Sequence, residues 1–386
     1  MMPRSDRRVL RVRTSPSAAR EYAVCVGAGL LGELGPLVRE HCPAHRFAVI
    51  TDSQVAARYG ERVLAALDGC EAQLFTFPAG EWNKSRETWT RLHDALLSAG
   101  HGRDSAVIAL GGGVVGDLAG FVAGTFLRGI PVVQVPTTLL AMLDSAVGGK
   151  TGVDTEAGKN LIGVFHPPAL VVTDPETLST LPPHQLAAGL AEAFKHGAIA
   201  DAAYFEEVAR SAGAYFAHDL DALTSMILRS LEIKVEVVEA DEREAGYRKI
   251  LNFGHTVAHA LETAAGYELL HGEAVAIGMV AEARIGELVD VTCAGTADRL
   301  RVALEAARLP VEWPADLRPD PFFRALALDK KRAGGVVEYT LLAEIGRAAG
   351  AAGAAGAGTA GRSEPGVSGW SQAVSEDDVR RALFGG

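Results

Sequence analysis

Cysteine is scarce in this sequence. Only Cys25, Cys42, Cys70 and Cys293 occur in 386 residues, and none forms a CxxC pair. That excludes a disulfide framework and suits a reducing cytoplasm. A basic surplus is missing too: the formal net charge is -11, so no cationic field awaits a nucleic-acid backbone. An anionic small molecule stays compatible, because a local cationic pocket can sit in an acidic protein. No apolar run reaches the ~18 residues of a membrane span, and Asp117 interrupts the nearest one. The arginine-rich start, Met1 to Arg13, has no apolar h-region, so no secretory signal is expected. What remains is a soluble, cytoplasmic chain. With 48% hydrophobic residues it is long enough for two well-filled domains.

Two patterns divide it. From Tyr22 to Thr180 short apolar runs alternate with amphipathic stretches such as Lys84–Ser98. The runs predict strands at Tyr22–Val26, Arg46–Thr51, Gln73–Phe77, Ser105–Leu110, Val132–Val135 and Leu170–Val172. Such alternation implies a largely parallel sheet with helices on both faces, a Rossmann-like nucleotide-binding α/β domain. After Pro182-Pro183 the strand signals stop. Helices are predicted at Gln185–Ala198, Ala202–Ala212, Leu220–Ala240, Tyr247–Ala265, Glu273–Val289 and Ala297–Ala307, giving a mainly α-helical C-terminal metal-binding domain. The expected boundaries are 1–182 and 183–386. Val336–Leu342 reads as a strand. Arg347–Gln372, nearly all Ala, Gly and Ser, reads as a flexible insertion. Ser375 followed by Glu-Asp-Asp reads as the cap of a final helix.

The chain is organised around Asn252-Phe-Gly-His255-Thr-Val-Ala-His259. On the predicted helix 247–265, Arg248, Asn252, His255 and His259 fall at i, i+4, i+7 and i+11, one continuous stripe. Polar groups stacked on an otherwise apolar helix need a counterpart, because burying them unpaired is costly. His271 follows where a new helix begins. Glu192 sits on an apolar helix (Leu186, Leu190, Ala191, Phe194) and needs a partner for its charge. Either it pairs with Lys195, or it completes a metal site with His255 and His271; one oxygen and two nitrogens suit Zn²⁺ with one side open.

Two glycine-rich stretches carry further chemistry. After the strand at Ser105–Leu110, Gly111, Gly113 and Gly116 satisfy GxGxxG and would present a helix N-terminus to a pyrophosphate. The ribose-binding acid expected about twenty residues later is missing, and strand–helix packing is the plainer account of these glycines. The second stretch runs from Asp144 to Lys150 and on to Gly158-Lys159-Asn160. As a glycine-rich loop it would bring two lysines and an asparagine to a phosphate; exposed loop lysines are the alternative.

Together these runs (GGGVVGDLAGFVAGTFLRG, QVPTTLLAMLDSAVGGKTGV, GKNLIG, LAEAFKHG, DEREAGYRKILNFGHT, LHGEAV) resemble the 3-dehydroquinate synthase family, within the sugar-phosphate cyclases. The resemblance extends from about Arg46 to Leu342. It implies a lyase that converts 3-deoxy-D-arabino-heptulosonate 7-phosphate to 3-dehydroquinate in the shikimate pathway. The route is transient oxidation by NAD⁺, phosphate elimination, re-reduction and intramolecular aldol closure. It also implies residue roles. Glu192, His255 and His271 would bind zinc or cobalt. Lys150, Lys195, Arg248, Asn252 and His259 would act in catalysis, with Asp144, Asn160, Lys234 and Lys330 (or Lys331) on the substrate. Asp52, Glu81, Lys84, Gly113, Gly116, Asp117, Thr137, Thr138 and Lys159 would hold NAD⁺. Arg128 would reach the substrate phosphate across a homodimer interface.

Rival readings remain. Cyclases acting on sedoheptulose or glucose phosphates have no substrate carboxylate, whereas Lys234, Arg248 and Lys330 supply a cationic cluster for one. An amino-dehydroquinate synthase would use much the same pocket. A metal-dependent polyol dehydrogenase would instead accumulate NADH, and a non-catalytic metal-binding scaffold would do neither.

Overall fold

The structure is a computed structural model of the chain. It describes residues 21–156, 158–266, 268–315, 317–332, 337–350 and 369–385, without the side chains of 328–332. The first half is built on six strands: β1 (Ala23–Val26), β2 (Arg46–Asp52), β3 (Glu71–Phe77), β4 (Ser105–Gly111), β5 (Val132–Pro136) and β8 (Leu170–Thr173). They pair in parallel in the order β1-β8-β5-β4-β2-β3. Helices α1 (Leu34–His41), α2 (Ser53–Val55), α3 (Glu61–Ala66), α4 (Arg86–Ser98) and α5 (Gly113–Thr125) connect the strands.

Side-chain alternation explains the two layers. Phe47 and Val49 of β2, with Ala106, Ile108 and Leu110 of β4, join one core with α1 and α3. Ala48 and Ile50, with Val107 and Ala109, join the other with α4 and α5. A strand covered on both faces has no polar side to show, so β4 is buried at all seven positions.

The second half is helical: α6 (Pro183–Ala200), α7 (Ala202–Phe216), α8 (Leu220–Ala240), α9 (His255–Ala264), α10 (His271–Leu288), α11 (Thr296–Ala306), α12 (Pro319–Arg332) and α13 (Glu376–Phe384). Helix α6 is buried without interruption from Leu186 to Ile199, the pattern of a helix surrounded by others. Gly272 lets the first turn of α10 approach it. A β-carbon there would lie 1.9 Å from the Ala188 carbonyl oxygen, so no other residue fits. That approach sets His271 beside Glu192.

Four expectations need correction. The stretch 247–265 is not one helix. Tyr247–Asn252 forms a 3-10 turn, Phe253 is extended, and Gly254 sits at φ 83° before α9 begins. The region 150–165 is not a loop: β6 (Lys150–Thr155) and β7 (Gly158–Phe165) form an antiparallel hairpin. The strand at 336–342 divides into β9 (Glu338–Tyr339) and β10 (Leu342–Glu344), with Val336 outside the described residues. The Ala/Gly-rich stretch is structured at both ends. Arg347–Ala348 form β11 against β10, and Gln372–Ala373 form β12 against β9. Its residues 351–368, like the arginine-rich residues 1–20, lie outside the described part. Ser375 caps α13 as expected, accepting from the Asp378 N–H.

Candidate active site

The metal-competent group is assembled from three helices. Ligand atoms of Glu192 (α6), His255 (α9) and His271 (α10) all lie within 4.8 Å of one another. Glu192 is wholly buried. Its carboxylate meets the Lys195 ammonium, as the plainer reading expected, yet Oε1 has no hydrogen-bond donor and stands 3.7 Å from His255 Nε2. Burial pushes the His255 imidazole well below its usual range, helped by the Lys195 cation and by His271 and His259. A neutral imidazole beside an orphaned carboxylate oxygen is a donor set that fits a divalent cation. His271 is held above its usual value: burial opposes its charge, but Glu262 outweighs burial.

Around this set lies a network of buried charges. Asp144 accepts from Lys234 Nζ at 2.6 Å and stands 4.0 Å from Lys195 Nζ. Burial would raise Asp144, but the two lysines hold it well below the usual carboxylate range. Lys195 is raised, since Glu192 and Asp144 overcome its burial, while burial keeps Lys234 below its ordinary value.

Lys234 and Arg248 are the expected carboxylate grip, and their present partners differ. Lys234 already faces Asp144, whereas Arg248, 2% exposed, has no carboxylate within ion-pair distance among the described residues. Its Nη1 donates to the Glu242 carbonyl at 2.5 Å and its Nη2 to the Gly148 carbonyl at 3.3 Å; Nε has no acceptor. Glu244 gathers Lys150 and Asn252, whose Nδ2 donates to it at 2.7 Å. His259 lies beside the histidine pair, its ring 5.6 Å from that of His255 and 6.1 Å from that of His271.

The residues expected to hold the cofactor gather at the sheet. β2 leads on to β3 and β4 on to β5 in opposite directions, so the crevice at their carboxyl ends is the topological switch point where α/β sheets take ligands. Asp52 ends β2 and caps α2; Gly111 ends β4, and Gly113 opens the 13-residue α5. Thr137 and Thr138 follow β5, with the Thr137 N–H on the Gly111 carbonyl. Asp52, at the end of the strand neighbouring β4, is the carboxylate that ends β2 at this crevice, and its Oδ1 accepts from the Gln54 and Val55 N–H groups. Gly116 packs against the Gln134 side chain, so it serves helix–sheet contact. Lys84 binds Asn160 Oδ1 at 2.8 Å, Asp117 at 3.2 Å, Glu81 at 3.4 Å and Asp154 at 3.6 Å. Burial lifts Asp117 to about 6 against the pull of Lys84.

Some expected neighbours are apart. The hairpin sends Lys150 to Glu244 and Asn160 to Lys84, with roughly 16 Å of strand between its ends. The two lysines and the asparagine therefore do not close on one phosphate. Arg128 is exposed at φ 73°, away from the cluster. Lys330 belongs to α12, but its side chain is outside the described residues. Asp154, His196 and Glu262 were not foreseen. Glu262 had a visible signal, seven residues after His255 and three after His259 on one helical face. His196, adjacent to Lys195, is fully buried with Nδ1 2.7 Å from Ser230 Oγ.

Family models settle the relationship. The model for the 3-dehydroquinate synthase N-terminal region matches residues 74–188, and that for the C-terminal region matches 189–332. The chain belongs to the 3-dehydroquinate synthase family. A 3-dehydroquinate synthase of Symbiobacterium thermophilum is 50% identical over 324 residues, covering 83% of this chain and 90% of the relative. One from Caulobacter vibrioides is 45% identical, with 87% and 94% covered. Among solved structures, 2-epi-5-epi-valiolone synthase from Streptomyces hygroscopicus, with NAD⁺ and Zn²⁺ bound, superimposes with a TM-score of 0.82. The two are 31% identical over 97% of this chain and 98% of that one. A 2-deoxy-scyllo-inosose synthase complexed with carbaglucose-6-phosphate, NAD⁺ and Co²⁺ gives 0.81 at 26% identity, with 93% and 96% covered. The Rossmann-like domain and helical domain of this family are those described above.

Proposed function

We propose that the chain converts 3-deoxy-D-arabino-heptulosonate 7-phosphate into 3-dehydroquinate and phosphate, as a metal-dependent lyase that returns its NAD to the starting state. The observation that carries the substrate choice is Arg248. A desolvated guanidinium served only by backbone carbonyls has donors left for a carboxylate. Sugar phosphates without a carboxylate would leave that charge uncompensated.

NAD⁺ bound at the switch point would supply transient hydride acceptance, and Zn²⁺ or Co²⁺ would polarise the reacting oxygen. Glu192, His255 and His271 would hold the metal. The chain's own groups do the rest. Arg248 binds the substrate carboxylate and fixes the ring's orientation. Lys195 and Lys234, joined through Asp144, keep positive charge beside the reacting hydroxyls. Lys234, below its usual pKa, is the more readily deprotonated of the two. Lys150, Asn252 and Glu244 form a hydrogen-bonded wall at the side of the Tyr247–Asn252 turn. His259 stands next to the metal set as a donor to the substrate.

The proposal extends to a homodimer in the cytoplasm. Leu161, Ile162 and Phe165 of β7 are 46%, 38% and 47% exposed, and Leu127 at the adjacent turn is 38% exposed. This apolar edge has Arg128 beside it, which a second copy would carry toward a neighbouring site. No helix among the described residues is long and apolar enough to cross a membrane; the cytoplasmic placement rests on four free cysteines.

The deciding assay follows inorganic phosphate and NADH together across candidate sugar phosphates. Phosphate release without NADH accumulation, fastest on the heptulosonate phosphate, is the expected result. Net NADH formation would replace the cyclase with a dehydrogenase.

A further inference from the structure

Glu262 is a buried carboxylate to which the reaction gives no task. It lies on α9, 2% exposed, and both of its oxygens are engaged. Oε2 stands 3.5 Å from His271 Nδ1, and Oε1 receives Lys159 Nζ at 3.0 Å. A neutral imidazole carries one N–H and one lone pair, and which nitrogen has which is set by the hydrogen bond on the other side of the ring. With Nδ1 turned to a carboxylate, the proton belongs on Nδ1, and Nε2 is left as the lone-pair nitrogen. We propose that Glu262 is a positioning residue: it fixes His271 in this tautomer and aims its Nε2 at the space shared with Glu192 and His255.

Its partner on the other side supports an orienting role. Lys159 comes from the β6–β7 hairpin, so Glu262 is held between the nucleotide half of the chain and the first residue of α10. A carboxylate gripped from both sides cannot swing into the metal position, although His259, Glu262 and His271 also fall within 4.8 Å of one another. Outer carboxylates of this kind commonly alter metal affinity by about 10- to 100-fold.

The inference rests on His271 being a metal ligand, and the experiment separates the two claims. Zinc affinity of the metal-free protein is measured by competition with a chromophoric chelator, without NAD or substrate, alongside the visible spectrum of the Co²⁺ form. His271→Ala should lose at least 100-fold in zinc affinity; if it does not, the ligand assignment fails. Given that loss, Glu262→Gln should weaken zinc by about 10- to 100-fold. Its cobalt spectrum at saturation should keep the wild-type bands, because the ligand set is unchanged. Lys159→Met should stay within about threefold, since it only steadies the carboxylate. Wild-type affinity in Glu262→Gln would overturn the proposal. So would equal losses in Glu262→Gln and Lys159→Met, which would make the pair an interdomain strut. Altered cobalt bands would make Glu262 a ligand itself. If Glu262→Gln does not fold, Glu262→Asp, which withdraws the charge by one carbon–carbon bond, carries the same comparison with a loss of at least threefold.

Discussion

Arg248→Lys tests the substrate assignment most directly. The guanidinium has five N–H donors and spends two, on the Glu242 and Gly148 carbonyls. Nε and one donor on each terminal nitrogen remain, enough for a two-point grip on a carboxylate. Lysine offers a point charge and cannot reproduce that fork. Losing one charge-assisted hydrogen bond in a desolvated pocket costs roughly 2–4 kcal/mol of transition-state binding, or about 30- to 1000-fold in kcat/KM. The loss should fall on the heptulosonate phosphate. A carboxylate-free sugar phosphate, where it turns over at all, should lose several-fold at most. Arg248 also ties Gly148 to the Tyr247 turn, so melting temperature must be followed beside kinetics. A lower melting temperature with equal kinetic losses on both substrates would refute the carboxylate grip and leave Arg248 as a brace.

Deleting residues 351–368 should leave turnover within about twofold, under ~0.5 kcal/mol in barrier. The flanks already meet, since a β-carbon on Gly350 would lie 3.3 Å from the Trp370 ring, and a short linker can join them; a large fall in kcat on a folded variant would show that the segment acts in the reaction. Trp370→Ala should instead cost more than about 1 kcal/mol in denaturant unfolding, from lost burial against the helical core and from its edge-to-face contact with Tyr247, and an unchanged midpoint would count against that packing. Leu161→Asp should shift the protein to a monomer in sedimentation; an unchanged mass would remove β7 from the proposed interface. Glu282 gives a pH prediction: burial lifts it to about 8, although the Gly254 and Val257 N–H groups favour its charge. Because the folded value lies above the unfolded one, its contribution is full below about pH 4.5 and is lost as pH rises through about 8. Metal-free wild type should therefore lose stability over that window more steeply than Glu282→Gln; parallel curves would contradict the assignment.

The parallel sheet was legible because burial on both faces leaves nearly uninterrupted apolar strands, and β2, β4, β5 and β8 read that way. The hairpin was not. Lys150, Gly152, Gly158 and Lys159 have the composition of a loop, and their strand pairing depends on backbone contacts that composition does not carry. Its exposed face also shows Leu161, Ile162 and Phe165, so the inside–outside alternation that marks a half-buried strand is missing. The ends of the Ala/Gly-rich stretch were missed for a related reason: Arg347–Ala348 and Gln372–Ala373 are strands only because β10 and β9 lie alongside.

The metal helix shows how a site can be legible while its geometry is not. Spacing placed Arg248, Asn252, His255 and His259 on one stripe; the structure sets the two histidine rings side by side, while Asn252 turns to Glu244 and Arg248 to the Gly148 carbonyl. The straight helix behind that reading would have aimed all four along a single axis. Gly254, at φ 83°, breaks the axis between Asn252 and His255. A side chain there is doubly excluded, because a β-carbon would also lie 2.7 Å from Met279 Cγ. The break exposes the N–H groups that open α9, and Glu282 of α10 accepts those of Gly254 at 2.7 Å and Val257 at 3.1 Å. The arm bearing Arg248 and Asn252 then runs in a different direction from α9, whose His255 faces Glu192. Two directions are what the proposed substrate, with a carboxylate at one end and a reacting hydroxyl at a metal, would require. One glycine, bland in a periodicity analysis, therefore splits a single stripe into two directions.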